Sequence, residues 1–270
     1  MLAGVTKATK KNGTVYYRSS FSIKSKHISL GSFPTEEMAH QAYCEAIKIV
    51  REHRCEITDY STDFCLDFSK FIILLNYRNT GIYFKTPIYL QSGFFYYYLN
   101  PDKALIFDRE DLFYYATHKI QTRGGYYFVC DYGSQYNILA RYGIKNYARK
   151  NIDYIFVNHN DLDFRYENIH VINEYMGVSK LENPNHPIQE YYESLIHIRG
   201  NYLIGRYTDA ITAAIAYNKA VDTLAAQGFH KKYIKNYINE LSAAEYKERY
   251  RNIKISSKLI HFPFANGEHM

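Results

Sequence analysis

Residues 4–50 and 177–224 carry one small module written twice, and this limits the chain to folds built from two like units around a different middle segment. Gly4-Val5-Thr6-Lys7 is answered by Gly177-Val178-Ser179-Lys180, and Tyr16-Tyr17-Arg18-Ser19 by Tyr191-Tyr192-Glu193-Ser194. Phe21-Ser22-Ile23-Lys24 corresponds to Ile196-His197-Ile198-Arg199, and Gly31-Ser32-Phe33 to Gly205-Arg206-Tyr207. Beyond those glycines the spacing is shared: Ala39, Tyr43 and Ala46 follow Phe33 at offsets of six, ten and thirteen, as Ala213, Tyr217 and Ala220 follow Tyr207. Duplicated small folds commonly meet extended, repetitive partners.

Residues 17–26 alternate, with Arg18, Ser20, Ser22, Lys24 and Lys26 on one face and Tyr17, Ser19, Phe21 and Ile23 on the other. A period of two predicts a half-buried strand. The second copy repeats this, with Glu193, Leu195, His197, Arg199 and Asn201 outward and Tyr192, Ser194, Ile196 and Ile198 inward. A further short strand, 27–30 or 202–204, ends at Gly31 or Gly205. Thr35-Glu36-Glu37 and Thr208-Asp209 then supply a cap and an acidic first turn for a helix. Its apolar stripe is Ala39, Tyr43, Ala46, Ile47 and Val50 in one copy and Ala213, Tyr217, Ala220 and Leu224 in the other. Each copy is expected to form a three-stranded antiparallel sheet backed by one helix.

The formal charge of +6 is unevenly spread. Residues 1–54 carry nine Lys and Arg against four Asp and Glu; 55–174 carry twelve against fourteen, and 175–270 twelve against nine. The positive excess sits in the segments that hold the repeats, as phosphate contact and counterion release require. The first residues lack the apolar core and cleavage site of a secretory signal. The run Phe71-Ile72-Ile73-Leu74-Leu75 is too short to span a bilayer. Cys44, Cys55, Cys65 and Cys130 show neither CxxC spacing nor paired histidines, so reduced thiols are expected rather than a zinc site or a disulfide framework. Thirty tyrosines accompany no tryptophan; an AT-rich coding sequence accounts for much of this, and stacking on bases for a minor share.

With Gly-Val at the start, Leu/Ile-Gly-x-Phe/Tyr at the strand-to-helix junction and Ala-x-x-x-Tyr-x-x-Ala in the helix, the module resembles the APETALA/ethylene-response-factor type of DNA-binding domain. The resemblance implies a sheet laid in the major groove, its outward residues touching bases and phosphates. The implied contacts are Lys7, Arg18, Ser20, Ser22, Lys24 and Lys26 in the first copy, and Lys180, His197, Arg199, Asn201 and Arg206 in the second. The first copy is the closer match and the more basic. Glu193 and Leu195 on the second copy's outward face suit base reading less well or suit an interface; plain solvated strand faces are the bland alternative.

Between the copies, residues 60–135 are aromatic-rich and strand-like, as at 81–89 and 93–99, with a hairpin turn at Gly124-Gly125-Tyr126. The stretch from Lys103-Ala104-Leu105-Ile106 to Leu112, followed by Val157-Asn158-His159-Asn160-Asp161-Leu162-Asp163-Phe164-Arg165-Tyr166-Glu167-Asn168-Ile169, resembles the HNH core of phage and mobile-element homing endonucleases. In that chemistry a histidine at the end of a strand activates water, and one divalent ion stabilises the charge on the phosphorane and the leaving oxygen. The resemblance implies His159 as general base, Asn158 as the first metal ligand and Asn168 as the second, with the hairpin loop positioning the histidine and a following helix delivering the second ligand. Four departures point to a fold kept and an activity lost: a short hairpin loop, Phe164 at the middle asparagine, neutral Asn158 where a carboxylate is common, and Tyr136 at the upstream histidine. His159 and Asn168 as ordinary turn residues are the bland alternative.

After the second copy, His230-Lys231-Lys232-Tyr233-Ile234-Lys235 reads first as a solvated basic surface and second as a phosphate contact. Ser242-Ala243-Ala244-Glu245 has the form of a capping box opening a helix to about Ile253, solvated or supporting a dimer, and a loose tail is expected from His261. The whole is expected to be α+β: two small modules, each a three-stranded antiparallel sheet plus one helix, flanking a central ββα-metal (HNH-like) domain. The boundaries are 1–54 and 175–228 for the modules, 55–174 for the centre and 229–270 for a helical extension. The expected function is sequence-specific binding of double-stranded DNA by a cytoplasmic, nucleoid-associated transcriptional regulator derived from a homing endonuclease. The alternative is an active metal-dependent HNH homing or restriction-type endonuclease. No cofactor is expected unless the nuclease is active, when Mg²⁺ or another divalent ion is required. Double-stranded DNA is the expected partner, no membrane is, and a homodimer is left open.

Overall fold

A computed structural model describes residues 1–23, 26–52, 54–146, 148–182, 190–229 and 231–262. It is an α+β protein of small antiparallel sheets with few helices, and the chain divides into two compact units. The first comprises 1–138 and 160–168, the second 139–159 and 169–270. The stretch 55–174 is thus shared between them.

In the first unit β1 (Val5–Thr9), β2 (Val15–Ile23) and β3 (Lys26–Phe33) form an antiparallel sheet in that order, followed by α1 (Glu36–Arg51). Thr35 caps α1 by accepting from the Met38 N–H, and Glu36 and Glu37 sit in its first turn. Phe21, Ile28 and Leu30 from the sheet meet Ala46 and Ile49 of α1, where small alanines let the helix lie close. Gly4 makes the join possible. Its φ of +76° is left-handed, and a Cβ there would run into the Tyr43 ring. Its carbonyl accepts from the Ser20 N–H at 3.0 Å, at the bulge where β2 shifts register against β3.

Next comes α2 (Phe68–Thr80), buried from Phe71 to Tyr77, so residues 60–135 are not strand-like throughout. Asp67 caps its start and Gly81 ends it in the left-handed region. Arg78 near its end donates to the carbonyls of Ile49, Glu52 and Cys55, closing the C-terminus of α1. Strands β4 (Ile88–Leu90), β5 (Phe94–Asn100) and β6 (Lys103–Asp108) form a second sheet, and Ile88, Phe95, Tyr97, Leu105 and Phe107 fill its buried face. After α3 (Leu112–Tyr115), a third sheet contains β7 (Ile120–Arg123), β8 (Tyr126–Asp131) and β9 (Ser134–Asn137). The β7–β8 turn is Gly124-Gly125, both at positive φ, as the sequence predicts.

In the second unit β10 (Tyr154–Phe156) pairs with β11 (Ile169–Val171). No helix follows β11: the chain passes through residues 172–177 directly into β12, so the expected ββα order is not formed here. Strands β12 (Val178–Glu182), β13 (Glu190–His197) and β14 (Asn201–Tyr207), with α4 (Ala210–Ala226), repeat the first module feature for feature. Val178 pairs with Ser194 as Val5 does with Ser19, and both second strands bulge at the next residue. Gly177 at φ +71° lies against Tyr217, and its carbonyl accepts from the Leu195 N–H at 2.7 Å. Here Asp209 rather than Thr208 caps the helix, accepting from the Thr212 N–H at 2.7 Å.

Residues 231–262 are not an appendage but part of this unit's core. Ile238, Leu259 and Ile253 pack with α4, and buried Asn218 exchanges two hydrogen bonds with the backbone of Asn236. The Asn236 side chain in turn grips both backbone groups of Met176. The capping box Ser242/Glu245 opens α5 (Ala243–Asn252), which α6 (Ser257–Ile260) follows. The expected tail falls largely outside the described residues. All four cysteines are free thiols, and among the described residues no helix is long and apolar enough to cross a membrane.

Candidate nucleic-acid interface

Paired residues of antiparallel strands point to the same side, so the register fixes which side chains share the uncovered face of each sheet. In the first module one crosswise row is Thr6, Arg18 and Ser32, the next pairs Ser20 with Ser29, and the last pairs Ser22 with His27. Arg18 is exposed; its guanidinium donates to the Tyr16 hydroxyl at 2.7 Å and lies 5.4 Å from that ring's centre. The result is a hydroxyl-rich face with an oriented cation, opposite the side covered by α1.

Three of the six sequence-derived contacts, Arg18, Ser20 and Ser22, meet on this face. Lys7 pairs with Tyr17 and Lys26 with Ile23, which puts both on the helix side, where the Lys26 ammonium sits 4.5 Å from the Tyr83 ring centre. Lys24 lies outside the described residues. The reason is the position of the hairpin: β2 ends at Ile23 and β3 begins at Lys26, so alternation does not continue through 26. Thr6, His27, Ser29 and Ser32 join the face instead. Strand alternation alone does not reveal them; pairing across the hairpin does.

The second module places different chemistry at equivalent positions. Glu193 stands where Arg18 does and is paired at 3.1 Å with Arg206, the counterpart of Ser32. Leu195 faces Leu203, replacing two serines. His197 Nδ1 and Asn201 Oδ1 are 3.0 Å apart. Lys180 pairs with Tyr192 on the helix side and forms an ion pair with Glu190 at 2.6 Å, while Arg199 is exposed in the bend after β13. The outward charge is internally neutralised and the centre is aliphatic.

The residues of the expected nuclease core are placed differently from what that chemistry requires. Strand β10 ends at buried Phe156; His159 comes three residues later, exposed in a turn at φ +62°, its N–H donating to the Phe156 carbonyl at 3.0 Å. Asn158 is exposed beside it in the second unit. Asn168 belongs to the first unit, where it is buried and donates its amide hydrogens to the carbonyls of Asn160 and Asp163 at 3.2 and 2.7 Å. That carboxamide fastens a loop. Phe164 is a core residue stacked on Phe107, and Asp163 is closed by Arg165 at 2.7 Å. Among the described residues no three His, Cys, Asp or Glu side chains cluster so as to hold a metal ion.

Comparison with protein-family models, with curated proteins and with solved structures finds no match to this chain. The resemblances to the APETALA-type and HNH families rest on the residue patterns alone.

Proposed function

We propose that the chain is a sequence-specific double-stranded-DNA-binding protein that presents the uncovered face of β1-β2-β3 to the major groove. The supporting observation is the convergence of Arg18 with Thr6, Ser20, Ser22, His27, Ser29 and Ser32 on one open sheet face. A β-ribbon fits a major groove about 12 Å wide, arginine reads guanine through two acceptors, and hydroxyls serve either bases or phosphates. The nine basic residues of 1–54, against four acidic ones, add the sequence-independent attraction that brings a duplex to the surface. The second sheet, with Glu193 tied to Arg206, contributes less to reading. The proposed activity is binding, and the biological role that goes with it is transcriptional regulation at the nucleoid.

Fluorescence anisotropy with a duplex selected for binding tests this. Arg18→Ala weakens binding about tenfold and reduces the slope of log affinity against log salt by about one if the guanidinium meets phosphate, or leaves the slope intact and relaxes one base position if it reads guanine. Unchanged affinity and specificity rule out the face.

A further inference from the structure

The second unit contains a cleft of about 330 Å³ that the DNA reading does not use. Its origin is a mismatch in strand length. Pairing with β12 stops at Val178–Ser194, so β13 runs on to His197 with a free edge on that side. The segment after α4 comes back along this edge: Lys231 Nζ and the Tyr233 hydroxyl both donate to the His197 carbonyl, at 3.0 and 2.8 Å. The space left is bordered by these residues, by the turn at Met176 and Gly177, and by Arg149.

The lining has two characters. Tyr175 and Tyr233 contribute aromatic surface, beside the apolar side chains of Met176, Leu195 and Ile234, and the buried Tyr217 lies beneath. Arg149, Lys231 and Lys232 contribute three positive charges against one carboxylate, Asp153. That carboxylate is already engaged by the Arg149 N–H at 2.8 Å, the Arg149 Nε at 3.4 Å and the Asn173 amide at 3.1 Å. Lys231 uses one of its three ammonium protons on His197, and Lys232 is exposed with no ion pair among the described residues. His197 and Asn201, joined to each other, add polar groups at the rim. Cations converging beside aromatic rings attract an anion that also carries a flat ring. The volume lies at the lower end of the roughly 300–1,000 Å³ of small-ligand sites.

We infer that this cleft binds a small phosphate monoester bearing an aromatic base, of the size of a nucleoside monophosphate. The cations hold the phosphate, and tyrosine faces hold the base. In this arrangement His197 and Asn201 serve the ligand rather than DNA, and the basic run after residue 230 becomes a cleft wall instead of a solvated surface.

The test is calorimetric titration of the full chain with adenosine 5′-monophosphate, adenosine and inorganic phosphate at low salt. The monophosphate binds one per chain, and adenosine and phosphate each bind at least about tenfold more weakly, because each lacks half of the recognition. Lys232→Glu and Arg149→Gln each weaken the monophosphate about tenfold or more. Lys232 is exposed, so its variant keeps the wild-type melting curve and reports on binding alone. No saturable binding of the monophosphate overturns the inference. So does phosphate binding as tightly as the nucleotide, or binding indifferent to both substitutions. None of these outcomes bears on the Arg18 face, which duplex binding tests separately.

Discussion

Gly4 and Gly177 hold the same post in the two modules, and the reason is steric. Each has a left-handed φ, each would drive a Cβ into a helix tyrosine, Tyr43 or Tyr217, and each offers its carbonyl to the strand bulge. This is the physical content of the Gly-Val and Ala-x-x-x-Tyr signatures in the sequence. Gly177→Ala destabilises the protein by about 2 kcal/mol or more, read as a lower urea midpoint. A neighbouring pair acts in the opposite sense. Ser19 and Ser194 are fully buried at the equivalent bulge positions, their hydroxyls without hydrogen-bond partners among the described residues. A buried unpaired hydroxyl costs about 1–3 kcal/mol, so Ser194→Ala raises the urea midpoint rather than lowering it. Residues of this kind are only half legible in the sequence. Serine on the inward row of β2 is visible from alternation, but its lack of a partner is a property of packing.

Helix ends show how elements are joined. Arg78 of α2 closes three carbonyls at the end of α1, and Lys219 of α4 does the same for α5, donating to Tyr250, Arg251 and Ile253. A half-buried cation on orphaned carbonyls compensates both the missing hydrogen bonds and the negative end of the helix dipole. Lys219→Met releases α5, destabilising it by about 2 kcal/mol, and hydrogen exchange at the last turn of α5 accelerates ahead of the α4 amides. The elements themselves differ in how plainly the sequence announces them. Strand β2 alternates and α5 carries a capping box, so both are legible. Helix α2 is buried nearly all round, leaving no polar stripe to set a period, and only Asp67 and Gly81 punctuate it. The β2–β3 reversal carries no glycine, so alternation runs visibly past it and assigns Lys26 to the wrong face. The segment whose pattern resembles an HNH core has neither a helix after β11 nor a histidine at the end of β10, features that a residue pattern alone does not supply.

At the scale of the whole molecule, thirty tyrosines without tryptophan make stability at high pH directly observable. Burial raises Tyr97 and Tyr207 from the ordinary value of about 10 to about 12. The folded state therefore keeps protons that the unfolded state gives up, and this contribution is complete below about pH 10 and lost as pH rises towards 12. Part of the tyrosinate absorbance should therefore appear only with cooperative unfolding towards pH 12, from Tyr97 and Tyr207 together with Tyr175 and Tyr250, which are raised to the same value; a single non-cooperative rise near pH 10 would contradict the burial of Tyr97. Of the proposed DNA-reading face, the sequence alone offers the first sheet and Arg18. The hydroxyl companions required the register, and the cleft required the return of residues 231–234 to the edge of β13, a long-range contact with no local signature. Whether the first sheet face reads DNA is decided by selection from a pool of random duplexes, with the native chain and Arg18→Ala run in parallel. A DNA-reading face yields a reproducible consensus for the native chain and loses at least one specified position, or binding, in the variant. Absence of any consensus, or an identical consensus at identical affinity for both proteins, would contradict it.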